Sequence, residues 1–152
     1  MSDHARHQIR DAVVTLVTGL TTTGSNVWAS RVYPMDDDNL PGLIVRTMDE
    51  PIAPGGSLGY RIRRMLSLEI EARVKAEETA APLDEQLDTI CAEVEAALGG
   101  SITLGGLAQS CALTRTRFAH AGSMERPVGI AVMTWMIAYY TLANDATTPL
   151  YV

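Results

Sequence analysis

From Leu66 to Lys75 the chain alternates in strict order: Leu66, Leu68, Ile70, Ala72 and Val74 interleave with Ser67, Glu69, Glu71, Arg73 and Lys75. Side chains of an extended strand point to opposite faces in turn. This period of two therefore demands a strand with one face in a core and the other wet or against a partner. Such a strand needs neighbours in a sheet and an apolar layer over its dry face.

Two segments offer that layer. Between Asp3 and Val17, apolar residues recur at Ile9, Val13, Leu16 and Val17, the stripe of an amphipathic helix, with Ser2 or Asp3 expected to cap its start. Glu78–Gly100 repeats the pattern through Leu83, Leu87, Ile90, Val94 and Leu98, with Thr79 as expected cap, Pro82 in the first turn and Gly99-Gly100 at the end.

The other strand-like runs are Val27–Tyr33, Gly42–Met48, Ser110–His120 and the apolar run beginning at Pro127, the last two forming an antiparallel hairpin. Asp49–Tyr60 holds two prolines and three glycines and reads as an exposed loop. The expected fold is α+β, two-layer, with a mainly antiparallel sheet of about five strands and two helices on one face, in the order α-β-β-β-α-β-β. All 152 residues are read as a single domain.

Composition narrows function. Hydrophobic residues make up 47% of the chain, which places it among folded proteins, and the net charge of −6 argues against a general binder of nucleic-acid backbones. The start, MSDHARHQIRD, is too charged for a signal peptide. Val128–Ala143 is shorter than the roughly 20 residues a membrane span requires and carries Thr134, Tyr139, Tyr140 and Thr141, so it reads as a strand. Cys91 and Cys111 sit in apolar patterns and read as buried, reduced thiols.

Several clusters invite a chemical reading. Asp36, Asp37 and Asp38 precede Pro41-Gly42; with Asp49 and Glu50 they have the oxygen chemistry for a divalent cation, and a magnesium-dependent hydrolase is the enzymatic alternative. Adjacent residues of an extended segment diverge, however, and a solvated turn at a subunit junction accounts for the run more simply. His4 and His7 share a helix face but lack the further ligands of a metal set. PGGSLGY lacks the lysine and hydroxyl residue of a phosphate loop, and no nucleophile stands beside His120 in sequence. No catalytic residue, metal site or cofactor is assigned.

Arg61, Arg63 and Arg64, with Tyr60 beside them, form the notable basic cluster, suited to pairing with an acidic neighbour. In the final strand both sides are apolar, with Val128, Ile130, Val132, Met136 and Ala138 on one and Met133, Trp135, Ile137 and Tyr139 on the other. A single helical layer covers only one side, so the second calls for cover from the chain itself or another subunit. Asp36, Asp37, Asp38, Tyr60, Arg61, Arg63, Trp135 and Tyr139 are the candidate interface residues.

The sequence of elements, with DDDNLPGLIV, LDEQLDTICAEVEAAL and the hairpin SCALTRTRFAH/VGIAVMTWMIAYY, resembles the tail terminator proteins of long-tailed bacteriophages, of the phage lambda minor tail protein type. The likeness spans nearly the whole chain and lies in the order and hydrophobic pattern of the elements; the Asp49–Tyr60 loop is longer than that layout expects. It implies a hexameric ring at the head–tail junction of the virion, assembled in the host cytoplasm. Such a ring caps the tail tube, stops addition of tube protein and offers a surface to head-completion proteins. Double-stranded DNA would pass through its lumen without specific binding, and no membrane would be involved. Another neck or tail-completion component of the same particle is the neighbouring reading.

Overall fold

A computed structural model of the chain describes residues 3–29, 40–54, 60–76, 82–122 and 127–150. The elements are α1 (Ala5–Val17), β1 (Val27–Trp28), β2 (Gly42–Asp49), β3 (Ile52–Pro54), β4 (Arg61–Lys75), α2 (Leu83–Gly99), β5 (Ser110–Gly122) and β6 (Pro127–Leu142), with a short 3-10 turn at Leu104–Gly106. The fold is α+β: a six-stranded sheet in the order β1-β2-β4-β6-β5, with β3 added beside β4. Among the described residues only the β1–β2 pair is parallel; the other pairings are antiparallel.

β4 is the centre of the sheet. Its alternation puts Leu66, Leu68, Ile70, Ala72 and Val74 into the core, each no more than 1% exposed. They meet Ile9, Val13 and Val17 of α1 and Leu87, Ile90, Val94 and Leu98 of α2, so both helices cover one face of the sheet. Each fully buried Leu, Ile or Val among them contributes about 1.5–3 kcal/mol relative to leaving it in water. Gly129 of β6 lies under α2. A Cβ there would meet Leu87 Cδ1 at 3.2 Å, Val74 Cγ2 at 3.3 Å and Leu83 Cβ at 3.4 Å, so the missing side chain allows the helix its close approach.

Helix ends differ from expectation in detail. The ring Nδ1 of His4, rather than a Ser2 or Asp3 side chain, caps α1 by accepting from the Arg6 backbone N–H at 3.0 Å. Pro82 is the N-cap of α2, and Thr79 lies outside the described residues. Glu93 of α2 then fastens the turn after α1, accepting from the Thr22 N–H at 2.9 Å and from its hydroxyl at 2.5 Å.

Two expectations require correction. The segment read as an exposed loop contains β3, whose Ile52, Ala53 and Pro54 pair with Arg64, Arg63 and Ile62. Proline is compatible with a strand at the periphery of a sheet, where its missing N–H leaves no ladder bond broken. The second correction concerns Trp135 and Tyr139, expected on an outward, partner-facing side. The register Leu68↔Trp135 and Ile70↔Met133 places their side of β6 beneath the helices, where Trp135 is 3% and Tyr139 1% exposed. The side turned away from the helices carries Ile130, Val132, Met136 and Ala138.

Candidate interaction surface

No helical layer covers the opposite face of the sheet among the described residues. Across it the register lines up Arg46, Glu69, Thr134 and Arg115 in one row, and Ile44, Glu71, Val132 and Arg117 in the next. The Arg46 guanidinium reaches Glu69 at 3.2 Å and Glu71 at 2.8 Å, and Arg73 Nε donates to Glu71 at 2.5 Å. Burial opposes charge on Glu71, but the hydrogen bonds from Arg46 and Arg73, with their positive charges, hold its carboxyl below the usual range. Burial likewise works against the Arg46 cation, and its bonds to Glu71 and Glu69 outweigh it, raising its pKa. Val132 is only 8% exposed without a helix over it, framed by its register neighbours Glu71 on β4 and Arg117 on β5.

β5 forms one margin of the sheet. From Thr114 to Ala121 it is exposed except for a half-buried Thr116, and Phe118, on the helix-side face, is 56% exposed. Arg115 and Arg117 project from the other face. Beside Phe118 a groove of about 360 Å³ is lined by Asp84 and Asp88, one turn apart on α2. α2 carries Asp84, Glu85, Asp88, Glu93 and Glu95 and no Lys, Arg or His, in contrast to the arginines of the uncovered sheet face.

The residues singled out from sequence separate in space. Asp36, Asp37 and Asp38 lie outside the described residues. Tyr60 is 59% exposed at the start of β4, and its carbonyl accepts from the Ala143 N–H at 2.6 Å. Arg61 stacks 5.0 Å from the centre of the Tyr140 ring, and Arg63 is half-buried opposite Tyr140 in the register. Alternation divides this basic cluster: Arg61 and Arg63 take the uncovered face and Arg64 turns inward.

Arg64 belongs to a buried network not anticipated from sequence as a unit. Its Nε donates to Thr141 Oγ1 at 3.0 Å and its NH1 to Glu50 Oε2 at 3.0 Å; Arg6 NH1 donates to the same Glu50 oxygen at 2.6 Å. Tyr139 donates its phenolic proton to Glu50 Oε1. Burial and the bond to Glu50 push the Tyr139 phenol well above its ordinary pKa. Burial, with Arg6 and Arg64 nearby and Glu50 in partial opposition, lowers the His4 imidazole. A cavity of about 240 Å³ lies alongside, lined by Arg6, Thr47, Met48, Asp49, Glu50 and Leu66. Both Glu50 oxygens are engaged by protein donors, so the cluster ties α1, the β2–β3 link, β4 and β6 together as one structural junction.

Among the described residues no group of three or more His, Cys, Asp or Glu is placed to share a metal ion. Cys91 and Cys111 are buried free thiols, each pushed by burial to a pKa of about 11. No helix among the described residues is long and apolar enough to cross a membrane. No protein-family model matches the chain, and no curated protein matches it.

Proposed function

We propose that this chain is a structural subunit of a bacteriophage tail terminator: a hexameric ring that caps the tail tube, stops its polymerisation and presents its other side to head-completion proteins. The observation that carries the reading is the uncovered face of the sheet, where Ile130, Val132 and Met136 lie among Arg46, Arg73, Arg115 and Arg117. Apolar side chains framed by charge make a surface suited to a protein partner. The order of elements that resembles the terminator family supports the same reading.

In this mechanism the protein acts by shape and contact, and no bond is made or broken. A ring of identical subunits needs two different complementary patches on each copy, because a self-complementary patch stops at a pair. The overall negative charge suits a lumen through which DNA slides without adhering.

Light scattering and negative-stain imaging test for the ring, and tube length in mixtures with cognate tube protein tests for termination. Rings seated at the head-proximal end that limit tube length are the expected result. Rings that bind there and leave tube length unchanged would identify a neighbouring neck component instead. A protein that stays monomeric at high concentration, with and without tubes, overturns the proposal.

A further inference from the structure

We infer that the outer face of α2 in one copy docks on the uncovered sheet face of the next copy, with Asp84 and Asp88 meeting the neighbour's Arg115 and Arg117; the inference rests on the ring reading and specifies its subunit contact.

Charge complementarity argues for this occupant. α2 bears acids and no base, with Asp84, Glu85, Asp88 and Glu95 exposed. The exposed Arg115 and Arg117 make no ion pair among the described residues, whereas Arg46 and Arg73 on the same sheet face are already paired with Glu69 and Glu71. Two cationic side chains thus stand available on one side of the molecule, and two carboxylates stand one helical turn apart on the other. Phe118 borders the carboxylates with an exposed ring, and an aromatic face beside two acids is a favourable seat for a guanidinium.

The geometry also selects against the simplest alternative. If β5 paired edge to edge with β5 of a second copy in antiparallel fashion, Arg115 and Arg117 would approach their own equivalents, and like charges placed opposite each other on a sheet are destabilising. Docking helix face to sheet face brings unlike charges together. It also gives Ile130 and Met136, both half-exposed, a second layer that is missing among the described residues. Helix side against sheet side is a heterologous contact, the type a closed ring requires.

Charge reversal tests the contact. In full-length protein, D84R/D88R and R115E/R117E each place like charges across the interface, and each is expected to weaken self-association about a hundredfold or more while thermal unfolding stays near that of the parent. An equimolar mixture of the two variants restores unlike pairing at every junction and is expected to recover closed rings of alternating composition. If the parent forms rings and both variants form them equally well, the inferred contact is wrong and the ring reading stands. Recovery of only a two-subunit complex in the mixture refutes the head-to-tail arrangement. A parent protein that remains monomeric, with or without tail tubes, removes both.

Discussion

The Arg64 guanidinium donates to the Glu50 carboxylate at 3.0 Å, with the two side chains 9% and 6% exposed. Arg6 shares that carboxylate and Tyr139 donates to its other oxygen. Removing the acid therefore leaves Arg64 charged and poorly solvated. Glu50→Ala is expected to cost about 3–5 kcal/mol of unfolding free energy, the range for breaking one side of a buried pair. Glu50→Ala combined with Arg64→Met should recover part of that loss. Urea denaturation of the single and double variants measures the coupling; strict additivity would show that the two groups act independently.

Acid should weaken the fold in two stages of the same sign. His4 has a folded pKa below its ordinary value of 6.5, so the unfolded chain takes up the proton first and stability falls as pH drops below about 6.5. Glu71 has a folded pKa below its ordinary 4.5. The stability it contributes is present above 4.5 and is lost as pH falls from there through the folded value. Unfolding free energies measured from pH 8 to pH 3 should show both declines. His4→Gln should flatten the upper one and Glu71→Gln the lower, and an unchanged profile in either variant would remove that group from the account.

Both cysteines should be slow to react in the native protein. With thiol pKa values of about 11, against an ordinary 9.0, the thiolate fraction near pH 8 is about a hundredfold below that of an ordinary cysteine, before burial further restricts access. Labelling by a disulfide reagent should accordingly be slow under native conditions and stoichiometric in denaturant. Rapid native labelling of either thiol would contradict its placement.

The two faces of β6 should respond to substitution in different ways. Trp135→Ala removes a large side chain from the core and is expected to cost about 3–5 kcal/mol in stability. Met136→Glu, on the uncovered face, should leave the unfolding midpoint nearly unchanged while reducing self-association. Calorimetry and sedimentation on the same pair of variants separate the effects, and a stability loss confined to Met136→Glu would reverse the assignment of faces.

At Gly129 the contacts at 3.2–3.4 Å come from side chains, which can shift a little. Gly129→Ala should cost about 1 kcal/mol and Gly129→Val about 3 kcal/mol, within the range for overpacking a filled core. Denaturant midpoints measure both; a stabilised Val variant would show that α2 does not rest on this strand as described.

The course of β4 was legible because its apolar and charged residues alternate, leaving one possible inner face. β6 offered no such guide: Ile130, Val132 and Met136 are as apolar as Met133 and Ile137, so parity depends on pairing with β4, a relation between distant segments. Gly129 carried a signal, since a residue without a side chain on one face suits a closely approaching helix. β3 is concealed in the sequence by Pro51, Pro54 and the glycines that follow; at Pro54 the local preference yields to pairing with β4. In the sequence Glu50 reads as one acid of an acidic corner; its role depends on Arg6, Arg64 and Tyr139, which arrive from three other elements. Arg115 and Arg117 were readable as alternating members of a strand, but the acids complementary to them lie on a helix that sequence order does not relate to that strand.

The two borders of the sheet are unequal among the described residues: β5 offers 13 residues, whereas the opposite side ends in the two of β1 and the three of β3. A backbone ladder extended from one molecule to the next needs a long free border at both ends of every molecule. With a single long one among the described residues, strand addition through these borders halts after a pair. A series of copies joined through the charged side chains of α2 and β5 is screened by salt, so its cohesion should weaken as ionic strength rises.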